Sequence, residues 1–543
     1  MLRHKRIGVS KVRFGHRLLV IAVSAALVAA DVSVAQSDQN LSHLKEPIRV
    51  TGGLISGTPT IQWTPGVRLY RGIPYAAPPV DNLRWRPPQA VIPWSGVKAA
   101  DHFGPACMQR PTDTEGNAWR EGLVPVSEDC LYLNVWTPAR RPDQNLPVMV
   151  FIHGGGNFRG ASSENQYDGA YLAAKGVVFV SFNYRMNVFG FLAYLGLTAE
   201  SPHHSSGNYA MLDQIAALKW VKANIAHFGG NPHDVMIFGH SAGSANVSSL
   251  LASPLARGLF QRALMQSGEN LGKGITLAAA EETGERFAAS VGAHSVADLR
   301  EMPAGKLLKA LRRPMRMGLI VDGWVLPQSV YATFAVGKQN DVPLIVGSVA
   351  NDTPGPPMAP REATEVPAYA KRMFGSLAAE YLKLYPSNTD QEAVAADLHF
   401  RSNRAMANAR ELAKLETKTG NSPVYWYWFT HVSPFPKGLL WDGVPASNWG
   451  AYHGSEIVYV FDAFPLQDWG WRPVDLQLGN LVSNMWINFA KYGNPNGPGI
   501  PEWPAFKPST DELLNISDHP HAQKAPDPTV LAFQDKVAEA ERK

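Results

Sequence analysis

Short apolar runs recur along the chain, separated by turn-forming residues and by segments with helical periodicity. Residues 148–152 (Val-Met-Val-Phe-Ile) and 177–182 (Val-Val-Phe-Val-Ser-Phe) are almost wholly apolar, as strands buried on both faces should be. Runs at 131–136, 235–238, 263–266, 343–346 and 424–429 carry the same signal. Helical patterns at 170–175 and 209–227 fall between them, and this alternation predicts a central, mostly parallel sheet with helices on both faces. The stretches 275–340 and 360–420 read as large helical insertions. The aromatic run at 425–429 reads as core strand rather than a ligand cage. Nearer the start, 48–51 and 66–70 are predicted as antiparallel strands joined through Gly and Pro turns. The proline-dense residues 71–88 exclude helix and central strand, and are predicted to form an ordered surface loop.

A length of 543 residues would suggest three or four domains, yet no linker, charge block or repeat divides the chain. One large α/β domain over residues 36–543 is expected, and an apolar share of 45% excludes disorder. The first residues differ. Arg3, Lys5, Arg6, Lys11, Arg13 and Arg17 precede an acid-free apolar run at 18–30, followed by Ser33-Val34-Ala35. That is the pattern of a signal peptide over 1–35, cleaved before Gln36, and it predicts a periplasmic or secreted protein. The apolar run is shorter than the ~20 residues a spanning helix needs, so no stable membrane anchor is expected after cleavage. Taking the leader's six basic residues and Asp31 from the totals leaves 44 basic against 45 acidic residues. A near-neutral mature chain gives no case for nucleic-acid binding. The two cysteines, Cys107 and Cys130, are expected to form one disulfide in an oxidising compartment, worth ~3 kcal/mol in the chain-entropy account.

The chemistry is concentrated in Gly239-His240-Ser241-Ala242-Gly243, which follows the apolar run 235–238 and precedes a potential helix. This fits G-x-S-x-G, a sharp strand-to-helix turn. Its glycines let backbones close up, and its serine is pushed into an exposed, strained position. Upstream, the predicted strand 148–152 runs into His153-Gly154-Gly155-Gly156. Three consecutive glycines weaken any regular element, but they suit bare N–H groups that must approach a substrate oxygen. The N–H groups of Gly155, Gly156 and Ala242 are therefore expected to form an oxyanion hole. The glycine run lacks the spacing and lysine of a phosphate loop, and no metal cluster or dinucleotide fingerprint competes, so no cofactor is expected.

Longer motifs support a family resemblance. Among them are Gly72-Ile73-Pro74-Tyr75-Ala76, residues 127–134 (Ser-Glu-Asp-Cys-Leu-Tyr-Leu-Asn), Asn183-Tyr184-Arg185, Gly207-Asn208, Asp213-Gln214 and residues 228–232 (Phe-Gly-Gly-Asn-Pro). His453-Gly454 with Glu456, residues 486–490 and residues 493–496 extend the set. The sequence resembles the type-B carboxylesterases, the cholinesterase-like branch of the α/β-hydrolase fold, from about Ile48 to Ser517. The resemblance implies a serine esterase acting on a small-molecule ester through an acyl-enzyme. The Cys107–Cys130 pair also resembles that family's first disulfide.

His453 lies in Ala451-Tyr452-His453-Gly454-Ser455-Glu456, which resembles the family's catalytic-histidine loop. His153 is expected to brace the glycine loop instead. The His240 side chain is expected to leave the strained turn in another direction. Asp352 falls where the family places its triad carboxylate, usually a glutamate, and Thr353 replaces the usual glycine. Glu456 resembles the family's supporting glutamate. The triad expected from this resemblance is Ser241, Asp352 and His453. A non-catalytic adhesion or interaction domain is the alternative class, but such domains typically lose a triad member, and all three positions here hold competent residues.

The family usually has glutamate immediately before the nucleophile, where this chain has His240. Losing that negative charge argues against a choline ester. Trp119 lies near the position of the family's choline-stacking aromatic and is read as a loop aromatic lining the gorge. Arg159 follows the glycine run, and Arg312, Arg313 and Arg316 precede Asp322-Gly323. With His240, these arginines suggest a pocket that favours esters whose acyl part carries a carboxylate. Solvated or ion-paired arginines are the competing reading.

Overall fold

Eleven strands build the central sheet of the computed structural model, which describes residues 44–59, 64–110, 124–311, 317–353, 359–436 and 448–543, with Gly438 and two short strands at 440–441 and 444–445. In chain order they are β1 (Thr58–Pro59), β2 (Arg68–Pro74), β3 (Tyr132–Thr137), β4 (Leu146–Ile152), β5 (Val178–Phe182), β6 (Gly230–His240), β7 (Arg262–Gln266), β8 (Leu344–Val349), β9 (Val424–Phe429), β10 (Glu512–Ile516) and β11 (His521–Lys524). The spatial order is β11-β10-β9-β8-β7-β6-β4-β5-β3-β2-β1. Every pairing from β10 through β5 is parallel, and the outer pairings are antiparallel. The segment 1–35 read as a leader, Trp119, and Arg312, Arg313 and Arg316 lie outside the described residues.

The apolar runs become central strands because both faces of the sheet are covered. Side chains alternate across a strand. Val148, Val150 and Ile152 of β4, with Val235 and Ile237 of β6, join one core with the helices Tyr209–Asn224 and Ala242–Ala252. Met149 and Phe151, with Met236 and Phe238, join the opposite core with Ala170–Ala174, Ile457–Phe461 and Pro473–Tyr492. The aromatic strand β9 is core, as its sequence suggests: Tyr427 and Trp426 are fully buried on opposite faces. The two insertions are helical. The second holds the 30-residue helix Asp390–Thr419, and a third apolar cluster joins it to Val366–Phe374, Ala378–Leu384 and Pro528–Arg542.

Two expectations near the start of the chain are corrected. Ile48–Val50 does not pair with the strand that follows residue 66. It turns back on Gly53–Ser56 in a separate small sheet, while β2 pairs with β1 and β3. The glycine at 52, at φ +103, allows the tighter hairpin that the pattern did not reveal. The proline-dense segment is also not simply a surface loop. Its first residues extend β2, Trp85 is 2% exposed and donates from its indole to Val188 O, and Arg84 forms a fork-to-fork pair with Glu128. Prolines prevent ladder bonding, but they do not prevent burial of the side chains between them.

The sheet order positions the site. β5 lies on one side of β4 and β6 on the other, and the helices that follow β4 and β6 cover opposite faces. Loops leaving the carboxyl ends of β4 and β6 therefore part, opening a crevice where ligands bind in sheets of this kind.

Candidate active site

Ser241 stands at the end of β6, and the helix Ala242–Ala252 begins at the next residue. Its backbone sits at φ +59, ψ −123, a region costing a non-glycine residue of order 1–3 kcal/mol. Neighbouring contacts enforce it. A Cβ on Gly243 would lie 2.0 Å from the Ile152 carbonyl oxygen, and one on Gly268 would lie 2.1 Å from that of Ser241. The glycines are thus required by close approach of backbones, as G-x-S-x-G suggests. Ala242 opens the helix, where N–H groups lack intrahelical partners and favour negative charge.

The glycine loop after β4 faces this turn. A Cβ at Gly154 would meet His240 O at 2.7 Å and Ser241 Cβ at 3.1 Å, so no larger residue fits. Gly155 and Gly156 hold φ +106 and +67. His153 braces the loop: its ring stacks on Tyr184 at 4.5 Å, and the Tyr184 hydroxyl donates to His153 O. Arg159 is exposed just beyond, with its backbone N–H donating to Gly155 O.

His453 and Asp352 are brought together by backbone pairing. Asn351 bridges to Tyr452, its N–H donates to Ala451 O at 2.9 Å, and its side-chain oxygen accepts from Ala451 N at 3.0 Å. The next residue on each strand end is Asp352 and His453, and His453 Nδ1 hydrogen-bonds Asp352 Oδ1. His453 Nε2 is buried and has no partner among the described residues. Burial disfavours the imidazolium, but the Asp352 carboxylate and its hydrogen bond more than offset this, leaving the His453 pKa above the ordinary 6.5. Glu456 makes no bond to His453. It accepts from Gln266 Nε2 at 3.4 Å, and burial pushes its pKa up to about 7.

Two features were not foreseen. His240 does not turn away from the site: its ring lies 4.6 Å from that of His453, and burial, then the neighbouring His453 charge, keeps its pKa well below 6.5. The turn points the serine outward, but the next carbonyl back is pinned against Gly154, which leaves the His240 ring lying along the loop that carries His453. It therefore adds no positive charge to the pocket. Glu269, just past the end of β7, is 8% exposed, with Oε1 unpartnered among the described residues. Burial raises its pKa to about 8, and the nearby Asp352 charge adds to the rise. A carboxyl placed three residues beyond a central strand was the signal available in the sequence. Cys107 and Cys130 are joined in a disulfide, as expected.

A mostly parallel sheet with a strand–serine–helix elbow at its switch point defines an α/β-hydrolase. A model of the carboxylesterase family matches residues 45–534. The chain is 36% identical over 464 residues to the fumonisin B1 esterase of Sphingopyxis macrogoltabida, covering 81% of this chain and 82% of that protein. It is 34% identical over 493 residues to the para-nitrobenzyl esterase of Bacillus subtilis (strain 168), covering 84% and 94%. A solved structure of a PNB esterase superposes with a TM-score of 0.76 at 30% identity, covering 90% of this chain and 99% of that one. The chain belongs to the carboxylesterase family, and it is a carboxylic-ester hydrolase. Among the described residues, no helix is long and apolar enough to cross a membrane.

Proposed function

We propose that this chain hydrolyses esters through a covalent acyl-enzyme on Ser241, with His453 as base and Asp352 as the residue that orients it. The observation that carries the reading is the one-sided bonding of His453: Nδ1 is held by Asp352, and Nε2 is left without a partner among the described residues. Nε2 takes the proton of Ser241 as its oxygen attacks the ester carbonyl. The N–H groups of Gly155, Gly156 and Ala242 receive the charge that develops on the carbonyl oxygen. The tetrahedral intermediate collapses, the alcohol leaves with the proton from His453, and water attacks the acyl-enzyme by the same route. Ser241→Ala tests this directly: ester turnover should vanish while the protein remains folded. Turnover by the purified variant would overturn the assignment.

The substrate is read as an ester whose acyl part carries a carboxylate. Since His240 contributes no positive charge, support comes from Arg159, exposed and packed against the glycine loop. Burial raises the Glu269 pKa to about 8, so it adds little opposing negative charge at neutral pH. The test compares kcat/KM for matched acetyl and hemisuccinyl esters of one alcohol, in the parent and in Arg159→Ala. A hemisuccinyl preference that shrinks with salt and disappears in the variant supports the reading. Equal rates refute it. The leader of residues 1–35, the mature domain over 36–543 and the Cys107–Cys130 disulfide together support export, and a purified secreted protein beginning near Gln36 is the expected result.

A further inference from the structure

The chemistry proposed above needs three separate segments held in register: the turn carrying Ser241, the glycine loop after β4, and the loop carrying His453. One side chain borders all three. The His240 ring, adjoining Ser241 in sequence, lies 4.6 Å from the His453 ring with the two planes inclined at 42°. On its other sides, a Cβ added to Gly454 would lie 3.1 Å from His240 Cε1, and one added to Gly154 would lie 3.5 Å from Nδ1. The ring thus sits between the two loops, 7% exposed, where a side chain at Gly454 would crowd it and one at Gly154 would lie within contact range. Its Nε2 is buried with no hydrogen-bond partner among the described residues, so at that nitrogen the ring is held by packing.

We propose that His240 is a positioning residue, whose ring fixes the orientation of the His453 imidazole and couples the base loop to the glycine loop that meets the substrate oxygen. This rests on the Ser241–His453–Asp352 reading and assigns His240 a part in it that a mere filler of the pocket would not have. Electrostatics agree with the arrangement. The charge acting on His240 is that of His453, while Asp352 and Glu456 act on His453 itself. With burial keeping His240 uncharged, the base gains its proton next to a flat, neutral neighbour rather than a second cation.

The test measures kcat and KM for a chromogenic acetyl ester with the parent, His240→Ala and His240→Phe, alongside Ser241→Ala. His240→Ala frees the base loop, and kcat should fall about 100-fold while KM stays within about threefold, as for an interaction made only in the transition state. His240→Phe restores a ring without its nitrogens, and kcat should return to within about fivefold of the parent. If His240→Ala does not fold, His240→Gln takes its place, and the same contrast with Phe is expected. A parent-like kcat in the ring-less variant, or a Phe variant as impaired as the ring-less one, would overturn the proposal while leaving the triad intact. Turnover by Ser241→Ala would overturn the triad and this proposal together.

Discussion

Among the described residues, a buried histidine, His431, and a partly buried one, His453, are each bonded to aspartate, and they differ in what their second nitrogen meets. His431, fully buried at the end of β9, has a carboxylate on each nitrogen: Asp518 2.6 Å from Nδ1 and Asp475 2.7 Å from Nε2. Asp475 is held in turn by the Arg472 guanidinium and the Tyr459 hydroxyl. His453 has a carboxylate on Nδ1 alone, and its Nε2 has no described partner. A histidine saturated on both sides can only hold structure together. One bonded on a single side is oriented and still able to take a proton. Proximity of histidine to aspartate therefore does not by itself mark the proposed catalytic pair; the nitrogen without a partner among the described residues is what sets His453 apart.

The sharpest way to break this comparison is to remove each ring. His453→Ala should lower kcat by at least about 10⁴-fold with the fold retained. His431→Ala should do the reverse. It leaves the Asp475 carboxylate buried beside a lost partner, and should destabilise the protein by about 3–5 kcal/mol. Activity per folded molecule should stay within about threefold of the parent. Urea unfolding with active-site counting separates the two outcomes, and similar losses of activity in both variants would erase the distinction.

A smaller effect is expected from the aspartate behind His453. Asp352→Asn should lower kcat about 10³–10⁴-fold, because the amide favours the wrong tautomer. It should also move the acidic limb of the pH–kcat/KM profile to lower pH. The carboxylate raises the His453 pKa above 6.5, keeping the base protonated, and so inactive, to a higher pH. Removing the charge takes away the larger part of that rise, the nearby Glu456 charge supplying the rest. Glu456→Gln, which removes no hydrogen bond to His453 among the described residues, should cost far less. A larger loss from Glu456→Gln than from Asp352→Asn would exchange their roles.

The smallest effect belongs to the structural pair and appears in stability against pH. Burial opposes the Asp475 charge, but hydrogen bonds from Arg472, His431 and Tyr459 more than compensate, lowering its pKa from 3.8 to about 2. A depressed carboxylate pKa contributes stability that is complete above the unfolded value and is lost as pH falls through the folded one. Between about pH 4 and pH 2 the parent should lose stability more steeply than Asp475→Asn, as followed by circular dichroism. Parallel curves would show that Asp475 does not carry this charge.

Much of the fold was legible because apolar runs such as 148–152 and 177–182 have no alternative to the centre of a doubly covered sheet. The elbow was equally legible, since its glycines are demanded by backbone contacts that any G-x-S-x-G turn must make. What escaped was set by long-range packing. Trp85 and Arg84 are buried because Val188 and Glu128 come to meet them, which no local pattern records. Asn351 reads as an ordinary loop residue, yet its bridge to Tyr452 is what sets Asp352 beside His453. The turn alone points the His240 ring away from the site, and the loop carrying His453 that receives it is a long-range neighbour which no local pattern records. Strand β10 and the edge strand β11 are not legible in the sequence because alternation there is short and mixed with polar residues.

The central claim is that a vacant His453 nitrogen activates Ser241. Labelling with a fluorophosphonate ester, read by peptide mass spectrometry, tests it most directly. The account predicts a single adduct on Ser241 in the parent, slowed by at least about 10²-fold in Asp352→Asn and absent in His453→Ala over the same interval. In His431→Ala, folded molecules should be labelled at the parental rate. An adduct on another residue, or labelling of Ser241 in His453→Ala as fast as in the parent, would contradict it.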